Sequence, residues 1–385
     1  MSVSFPVGLV KFHRNKLFNF QLNRWYSFGW PIKEEALAAS KRIKDFKTWK
    51  TSLVSSAKKA EKAGKTVTAA FLYRAADFFT FPDDPDKAAL YETFSALFDR
   101  AYGGETERHK VPFGESFLPA IRLKSNDVSR GTILVMGGFD SYIEEFYKMM
   151  RYLADGGYDV IGFEGPGQGA ALKKYGLLLD LEYEKPVGAV LDYFHKNEAT
   201  LFGISMGGYW CIRASAFEKR IKRVIASSVV YDWMEAPGAF TRSVVEWMFR
   251  HPRLMEFSMK AKMRFSKYNN WVARNWMYIT GEKTPLEAAR HILMMNSKNL
   301  HSEQVTQDIL ILTGEDDSFC PLKLHSLQVR ALKNARVTSR IFTKEEHAAS
   351  HCQIGNVGLA MEVILDWLKK TEETNAAENI QQPVS

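Results

Sequence analysis

The sequence is poor in cysteine and contains no long apolar run. Only Cys211, Cys320 and Cys352 occur among 385 residues, and none of them belongs to a CxxC pair. A disulfide framework and a CxxC-type zinc site are therefore excluded, and this cysteine usage is typical of a reducing cytoplasm. No window holds 18 consecutive apolar residues, and the opening MSVSFPVGLVKFHRN lacks an apolar region followed by a small-residue cleavage site. We therefore expect a cytoplasmic protein with no membrane span and no secretory signal.

Basic residues only slightly exceed acidic ones. Lysine and arginine number 52 against 44 acidic residues, a formal net charge of +8. Much of the excess lies between Lys41 and Lys65 at helix-like spacing, which favours a solvated helical face over a nucleic-acid interface. With 46% hydrophobic and 25% charged residues, the composition is that of a globular protein. The length predicts two or three structural units, or one large α/β unit with an insertion.

Two patterns of apolar residues divide the chain. Residues 33–103 have helical periodicity, interrupted by Gly and by Pro-Asp-Asp. From about residue 107, short runs rich in β-branched residues alternate with helical stretches. Because most runs are continuously apolar, we expect strands covered on both faces and hence an α/β fold with a mostly parallel, doubly wound sheet. The strand-like runs are SFLPAIRL (116–123), GTILVMGG (131–138), YDVIGFEG (158–165), ATLFGIS (199–205), RVIASSVV (223–230), DILILTGE (308–315) and VTSRIFT (337–343).

The stretch from residue 231 to about 300 interrupts this alternation, because it has no strand signal. It holds eight of the fourteen methionines and eleven aromatic residues. Such a composition favours an adaptable apolar lid, and the alternative is an ordinary helical core. The expected organisation is a helical cap or dimerisation segment (1–105), a first core part (106–230), a lid insertion (231–300), a second core part (301–372) and a flexible tail (373–385).

The motif Gly203-Ile204-Ser205-Met206-Gly207-Gly208 carries the strongest chemical signal. It is a G-x-S-x-G motif with a strand before it and a helix after it, as a nucleophile elbow requires. Small residues at 203 and 207 allow the sharp turn that exposes the Ser205 hydroxyl. A structural turn is the alternative, but this context favours a nucleophilic serine.

A nucleophilic serine needs a base and an acid that orients the base. In the hydrolase order both follow the serine, each after a later strand. The acid is expected in Gly314-Glu315-Asp316-Asp317, and the offset from the glycine favours Asp317 over Asp316. The segment TKEEHAASHCQIGN offers two histidines as the base. We favour His351, which leads into the C-terminal helix, over His347.

An oxyanion hole needs two backbone N–H donors. One is expected from Met206, directly after the serine. The second is expected from the turn Gly137-Gly138-Phe139-Asp140-Ser141, with Phe139 preferred and Gly138 as the alternative. The turn Glu164-Gly165-Pro166-Gly167-Gln168-Gly169 lacks the GK[ST] ending of a phosphate loop and predicts a tight connection. We therefore expect neither a cofactor nor a metal.

Several segments together carry a family resemblance: FNFQLNR (18–24), GGFDS, FEGPGQG, GISMGG, GEDD and the ending HCQIGN. The chain resembles the α/β-hydrolases that include 2,6-dihydropseudooxynicotine hydrolases and the fungal pigment-pathway hydrolases that shorten polyketide chains. Within them it is most similar to bacterial hydrolases of anthraquinone-type pathways. The resemblance covers nearly the whole chain and assigns the nucleophile to Ser205, the acid to Asp317 and the base to His351.

The resemblance also implies a homodimer and cleavage of a C–C bond next to a carbonyl. Asp140 stands where nicotine-pathway enzymes have Glu, so it either holds a substrate hydroxyl or caps the next helix. Asp140 and Tyr209 are the candidate substrate-binding residues. The expected ligand is a small molecule, a polyketide chain either free or delivered by a carrier protein, with no nucleic-acid or membrane partner. The leading hypothesis is an enzyme that carries out retro-Claisen cleavage of an aromatic β-dicarbonyl compound. The alternatives are a carboxylesterase or peptidase of the same fold, and a binding protein with a vestigial hydrolase fold.

Overall fold

The N-terminal region forms a group of helices. The computed structural model describes the backbone of residues 3–381 and the side chains of residues 3–374. Local capping fixes where helices begin: the Asn15 side chain accepts a hydrogen bond from the amide of Leu17, and Asp45 and Thr48 form a capping box. The five helices are α1 (Lys16–Ser27), α2 (Lys33–Ser40), α3 (Phe46–Lys62), α4 (Thr66–Phe78) and α5 (Lys87–Tyr102).

An eight-stranded sheet follows, with the order β1-β2-β4-β3-β5-β6-β7-β8. The first two strands pair antiparallel with each other, and β2 also pairs antiparallel with β4, whereas all later pairs are parallel. The carboxyl ends of the parallel strands therefore lie along one edge, where ligands bind in such sheets. The strands are β1 (Glu107–Phe113), β2 (Ser116–Leu123), β3 (Thr132–Met136), β4 (Asp159–Phe163), β5 (Ala199–Ile204), β6 (Ile221–Ser227), β7 (Asp308–Gly314) and β8 (Arg336–Phe342).

Helices connect the parallel strands and cover the sheet on both faces. The central strands β3, β4 and β5 are buried at every position, as their continuous apolar sequences require. One buried cluster joins a sheet face to the N-terminal helices and α16, and the other joins the opposite face to α8 and α9. The connecting helices are α6 (Tyr147–Asp155), α7 (Gly169–Lys173), α8 (Glu184–Tyr193), α9 (Met206–Phe217), α15 (Leu322–Ala331) and α16 (Val357–Gln381).

The segment between β6 and β7 is helical. It contains five helices and the 3-10 turns Trp233–Glu235 and Ser302–Gln304, and among its described residues no strand is present. Helices α10 and α11 bury no residue fully, whereas α12 buries Trp271 and Ala273. The five helices are α10 (Ala239–Arg250), α11 (Pro252–Phe265), α12 (Lys267–Thr280), α13 (Pro285–Leu293) and α14 (Ser297–Leu300).

The architecture confirms the predicted α/β-hydrolase fold with a mostly parallel sheet. The sequence analysis missed strand β1, because its residues alternate between exposed and partly buried positions and include only one fully buried side chain, Val111. Helix α16 continues to Gln381, so the segment 373–385 expected as a tail is helical as far as that residue. Residues 382–385 lie outside the described residues. No helix in the described part of the chain is long and apolar enough to span a bilayer.

Candidate active site

Ser205 lies at the sharp turn between β5 and α9. Its backbone has a positive φ of 60° with ψ of −121°, a conformation that a non-glycine residue rarely adopts. A Cβ atom at residue 203 would lie 2.0 Å from the carbonyl oxygen of Gly207, and one at residue 207 would lie 2.7 Å from that of Gly137. Only glycine therefore fits at both positions. The amide of Ser205 donates to Ser227 on the neighbouring strand (2.9 Å) and fixes the turn.

His351 joins Ser205 to Asp317. Its Nδ1 lies 2.8 and 3.0 Å from the two carboxylate oxygens of Asp317, and its Nε2 lies 2.9 Å from the Ser205 hydroxyl. Because a carboxylate only accepts hydrogen bonds, Nδ1 carries the proton and Nε2 is left to accept from the serine. Asp317 is itself held by the amides of Phe319 (2.9 Å) and Cys320 (2.8 Å). This arrangement suits acyl transfer through a serine nucleophile.

The electrostatics of the His351–Asp317 pair favour a protonated imidazole. Burial alone would lower the pKa of His351, but the neighbouring Cys352 and the bonded Asp317 carboxylate raise that pKa well above its usual value. Burial alone would raise the pKa of Asp317, but His351 and the amide of Cys320 lower it. The pair therefore stabilises the imidazolium that forms when His351 takes a proton from the serine.

The other candidate acids and the other candidate histidine point away from this pair. The side chain of Asp316 binds Lys344 (2.9 Å), and that of Glu315 accepts from the Lys344 amide (2.9 Å). His347 is exposed, and its backbone closes the turn before His351. The structure therefore brings Asp317 and His351 to Ser205, and not Asp316 or His347.

Two backbone amides face the serine without a protein acceptor. Within the described chain, neither the amide of Phe139 nor that of Met206 donates a hydrogen bond to protein. The amide of Gly138 is occupied, because it donates to the hydroxyl of Ser141 (3.2 Å). A Cβ atom at residue 138 would lie 3.1 Å from that of Ser205, so this turn passes directly over the nucleophile. The geometry favours Phe139 over Gly138 as the second oxyanion donor.

The turn at residues 137–141 is held from both sides. The Gln168 side chain donates to the carbonyl oxygens of Gly137 (2.8 Å) and Gly138 (3.0 Å). From the N-terminal helices, Arg24 donates to the Ser141 hydroxyl (3.1 Å), and Arg74 donates to the carbonyl oxygen of Asp140. The GPGQG segment thus forms a tight connection whose glutamine positions the turn. Sequence reasoning missed Arg74 altogether, whereas Arg24 and Gln168 lie in segments that carry the family resemblance.

A buried charge network joins the N-terminal helices to this turn. Arg74 contacts Glu145 (2.6 Å) and Asp77 (3.2 Å). Asp77 also accepts a hydrogen bond from the Tyr142 hydroxyl (2.6 Å) and forms an ion pair with Lys87 (3.1 Å). All of these acids are shielded from solvent. Removing one partner of such a network leaves an uncompensated buried charge, which is strongly destabilising. The network therefore fixes the position of the N-terminal helices relative to the turn.

Of the two candidate substrate-binding residues, only Asp140 lines the cavity that contains Ser205. One of its carboxylate oxygens accepts from the Asn275 amide of α12 (2.8 Å), and burial raises its pKa. The expectation for Tyr209 needs correction. Its side chain is fully buried, and its hydroxyl donates to the carbonyl oxygen of Asn296 (3.0 Å). Tyr209 therefore supports the fold and does not line the cavity.

The cavity above Ser205 has a volume of about 270 Å³ and mainly aromatic walls. Of the segment 231–300, only the turn after β6 and helix α12 reach it, and α10 and α11 do not. Its lining residues include Phe20, Gln21, Arg24, Phe28, Phe78, Phe139, Asp140, Ser205, Trp233, Tyr268, Trp271, Asn275, Trp276, Phe319 and His351. Such a cavity suits an aromatic or apolar ligand with a few polar groups.

One group of side chains at the site has donor atoms close enough for a metal. The ligand atoms of Asp317, Cys320 and His351 lie within 4.8 Å of one another. Both ring nitrogens of His351 are already engaged by Asp317 and Ser205. A metal at this position would have to displace the hydrogen bond between His351 and Ser205. The arrangement of these atoms therefore fits a Ser-His-Asp triad better than a metal site.

The chain is similar in sequence to known hydrolases. A family model described as serine aminopeptidase, S33, matches residues 127–351. Hydrolyase poxO of Penicillium oxalicum is 28% identical over 333 residues, which cover 74% of this chain and 78% of that protein. The 20-hydroxy-prefusarin hydrolase FUS2 of Gibberella moniliformis is 27% identical over 335 residues, with the same coverage of 74% and 78%.

Solved structures share the fold over most of the chain. The 2,6-dihydroxy-pseudo-oxynicotine hydrolase superposes with a TM-score of 0.66 at 19% identity, over 90% of this chain and 94% of that one. AbyA5 superposes with a TM-score of 0.65 at 18% identity, over 87% and 89%. At these identities the likeness establishes the shared fold.

Proposed function

The chain belongs to the α/β-hydrolase family described as serine aminopeptidase, S33, and we propose that it is a serine hydrolase that cleaves a C–C bond of an aromatic β-dicarbonyl compound. The observation that carries the proposal is the contact of Ser205 with the His351–Asp317 pair (2.9 Å) at the base of an aromatic-walled cavity. The resemblance to polyketide-shortening hydrolases supports this choice of substrate, as does a relative named as a 20-hydroxy-prefusarin hydrolase.

The reaction begins when Ser205 attacks a carbonyl carbon of the substrate. Oγ of Ser205 bonds to that carbon while Nε2 of His351 takes the hydroxyl proton, and the carbonyl oxygen becomes an oxyanion. The amides of Met206 and Phe139 stabilise this charge, because they have no other acceptor within the described chain. Asp317 holds His351 in the required tautomer and stabilises its charge.

Collapse of this intermediate breaks the C–C bond. The electron pair leaves on the carbon between the two carbonyl groups, where the second carbonyl delocalises it as an enolate. His351 returns its proton to that carbon and releases a ketone. Water then attacks the acyl-serine, with His351 as the general base, and releases a carboxylic acid. One water is consumed, and no oxidant or reductant is needed.

Product analysis tests this proposal directly. With 1-phenylbutane-1,3-dione in water enriched in oxygen-18, the account expects acetophenone and acetate in equal amounts, and one oxygen of the acetate comes from the solvent. Ser205→Ala is the matched control and should form neither product above background. Attack on the other carbonyl would instead give benzoate and acetone. Consumption of the diketone without an equal yield of either pair of products would contradict C–C hydrolysis.

A carboxylesterase or peptidase is the second candidate, and the description of the matched family as a serine aminopeptidase favours it. The same triad would then expel an alkoxide or an amine. Assays with p-nitrophenyl esters and aminoacyl p-nitroanilides distinguish this candidate, because they contain no C–C bond that the triad could cleave.

We also propose that the enzyme is a homodimer. Helices α10 and α11 carry large apolar side chains that face outward: Phe240 is 83% exposed and Phe257 is 72% exposed. Neither helix lines the cavity, so the substrate does not cover these side chains. Exposed apolar surface of this kind is typical of an interface, and the family resemblance points to a second copy of this chain.

A cytoplasmic location is a further proposal, and the cysteines support it. All three, Cys211, Cys320 and Cys352, are buried free thiols. Free buried thiols are typical of proteins that work in a reducing compartment.

A further inference from the structure

Gln21 on helix α1 has a buried side-chain amide with no hydrogen-bond partner in the described part of the chain. The residue is 6% exposed and lines the catalytic cavity. Its carbonyl oxygen Oε1 is shielded from solvent and accepts no hydrogen bond from the described protein. Its Nε2 donates no hydrogen bond to the described protein. Arg24, the other polar side chain of α1 in the cavity wall, is hydrogen bonded to protein.

Burying an unpaired amide costs free energy, and such groups are rare in folded proteins. Two other polar side chains of the cavity wall are satisfied by protein: Asn275 binds Asp140, and Arg24 binds Ser141 and Glu145. Those residues are held by the fold. The amide of Gln21 is free to bind something that enters the cavity.

Gln21 lines the same cavity as Ser205 and His351, and its neighbours on α1 contact both sides of the site. The preceding residue, Phe20, contacts the ring of Phe319 (5.5 Å between centroids), which in turn contacts His351 (4.9 Å). One helical turn later, Arg24 binds Ser141 of the turn that passes over Ser205. Gln21 lies between these two contacts on the same helix, and hence between the base and the oxyanion turn.

A second unpaired group lines the same cavity. The indole nitrogen of Trp233, in the turn after β6, is buried and donates no hydrogen bond to the described protein. An indole N–H can only donate, whereas a carboxamide both donates and accepts. The two residues together suit a ligand with a hydroxyl group, which can hydrogen bond to the Gln21 amide, and an oxygen acceptor, which can accept from the Trp233 indole.

We propose that Gln21 determines substrate specificity by hydrogen bonding a hydroxyl group of an aromatic ketone, while Trp233 donates to an oxygen of the same molecule. The inference rests on the proposed function for the class of ligand, a β-dicarbonyl compound. It adds that the preferred substrate is hydroxylated, because an unsubstituted ring would leave the Gln21 amide unpaired.

Equilibrium binding to the full chain with Ser205→Ala tests the inference without turnover. The probes are 1-phenylbutane-1,3-dione and its three isomers with one hydroxyl on the ring. At least one isomer should bind 10-fold or more tightly than the parent compound. Adding Gln21→Met, which keeps the side-chain volume, should reduce that preference to within twofold and change the affinity for the parent by less than threefold.

Two matched variants complete the design. Gln304→Met, at an exposed position on the surface, should leave the preference unchanged, and Trp233→Phe should weaken the binding of every diketone in the set. A preference that survives Gln21→Met, or no preference among the isomers, would overturn the inference.

Thermal unfolding and turnover separate the remaining outcomes. Because Gln21 makes no hydrogen bond to the described protein, Gln21→Met should not lower the Tm, and a clear fall would show a structural role and overturn the inference. Preserved Gln21-dependent binding without cleavage of any diketone would count against the proposed function alone. Diketone cleavage with no dependence on Gln21 would count against this inference alone.

Discussion

The guanidinium of Arg24 lies 3.1 Å from the hydroxyl of Ser141, and that hydroxyl in turn accepts a hydrogen bond from the amide of Gly138 (3.2 Å). A helix near the N-terminus is thereby connected to the turn that supplies an oxyanion donor. The N-terminal helices therefore do more than cover the site: they help to set the position of the Phe139 amide.

Replacing the hydroxyl at this connection should slow the chemical step. In Ser141→Ala the Gly138 amide and Arg24 both lose an acceptor, and the turn becomes free to shift. We expect kcat to fall about 10-fold with little change in KM, since an oxyanion donor acts mainly in the transition state. Steady-state kinetics measure this effect. Ser326→Ala, at an exposed position on α15, is the matched control, and an unchanged kcat in Ser141→Ala would refute the connection.

The three residues brought together at the elbow should act as one unit. Ser205→Ala, His351→Ala and Asp317→Ala should each lower kcat by about 10³-fold or more, without loss of the folded state by circular dichroism. A fluorophosphonate probe should label the wild-type enzyme at Ser205 and should not label Ser205→Ala.

The neighbouring residues provide the controls for these variants. Asp316→Ala and His347→Ala should retain activity close to that of the wild type, because Asp316 binds Lys344 and His347 is exposed. Loss of activity in either control, with retention in the corresponding Asp317 or His351 variant, would reverse the assignment.

Activity should fall at acidic pH. His351 must be neutral to accept the serine proton, and its surroundings raise its pKa well above the usual 6.5. The rate should therefore be lost as pH falls through an inflection above that value. Asp317→Asn removes the negative partner, so the inflection should move to lower pH in addition to the loss of rate. The pH dependence of kcat/KM measures both inflections, and an unshifted inflection in Asp317→Asn would contradict the pairing.

The sequence predicted those parts of the site that depend on local patterns. The elbow at Ser205 follows from two glycines between a strand and a helix, and the two later strand ends present the candidate acids and the candidate histidines. By contrast, the contact of Arg74 with Asp140 joins residues 66 positions apart and has no local pattern. The error at Tyr209 has a similar origin, because the direction of its side chain depends on how α9 packs against the rest of the chain.

The extent of the lid also escaped the sequence analysis. Methionine and aromatic content is high throughout residues 231–300, yet only Trp233 and helix α12 contribute to the cavity wall. Composition cannot distinguish side chains that line a pocket from those on an outer face, since both are apolar. The outer face on α10 and α11 instead supports the dimer proposal.

Polar substitutions on that outer face should dissociate the dimer. Phe240→Ser combined with Phe257→Ser removes one highly exposed phenylalanine from each of α10 and α11. Light scattering coupled to size exclusion should report a dimer for the wild type and a monomer for the double variant. Val128→Ser, at a position that is 95% exposed outside these helices, should remain dimeric. A monomeric wild type would contradict the proposal.

The central claim is that this triad cleaves a C–C bond, and the ratio of two specificity constants tests it most directly. kcat/KM should be measured for 1-phenylbutane-1,3-dione and its ring-hydroxylated isomers, and compared with kcat/KM for p-nitrophenyl acetate. The account predicts that the best diketone is cleaved with a kcat/KM at least 10-fold above that of the ester. A 10-fold preference for the ester, equivalent to about 1.4 kcal/mol in transition-state binding, would contradict the claim and identify the protein as a carboxylesterase.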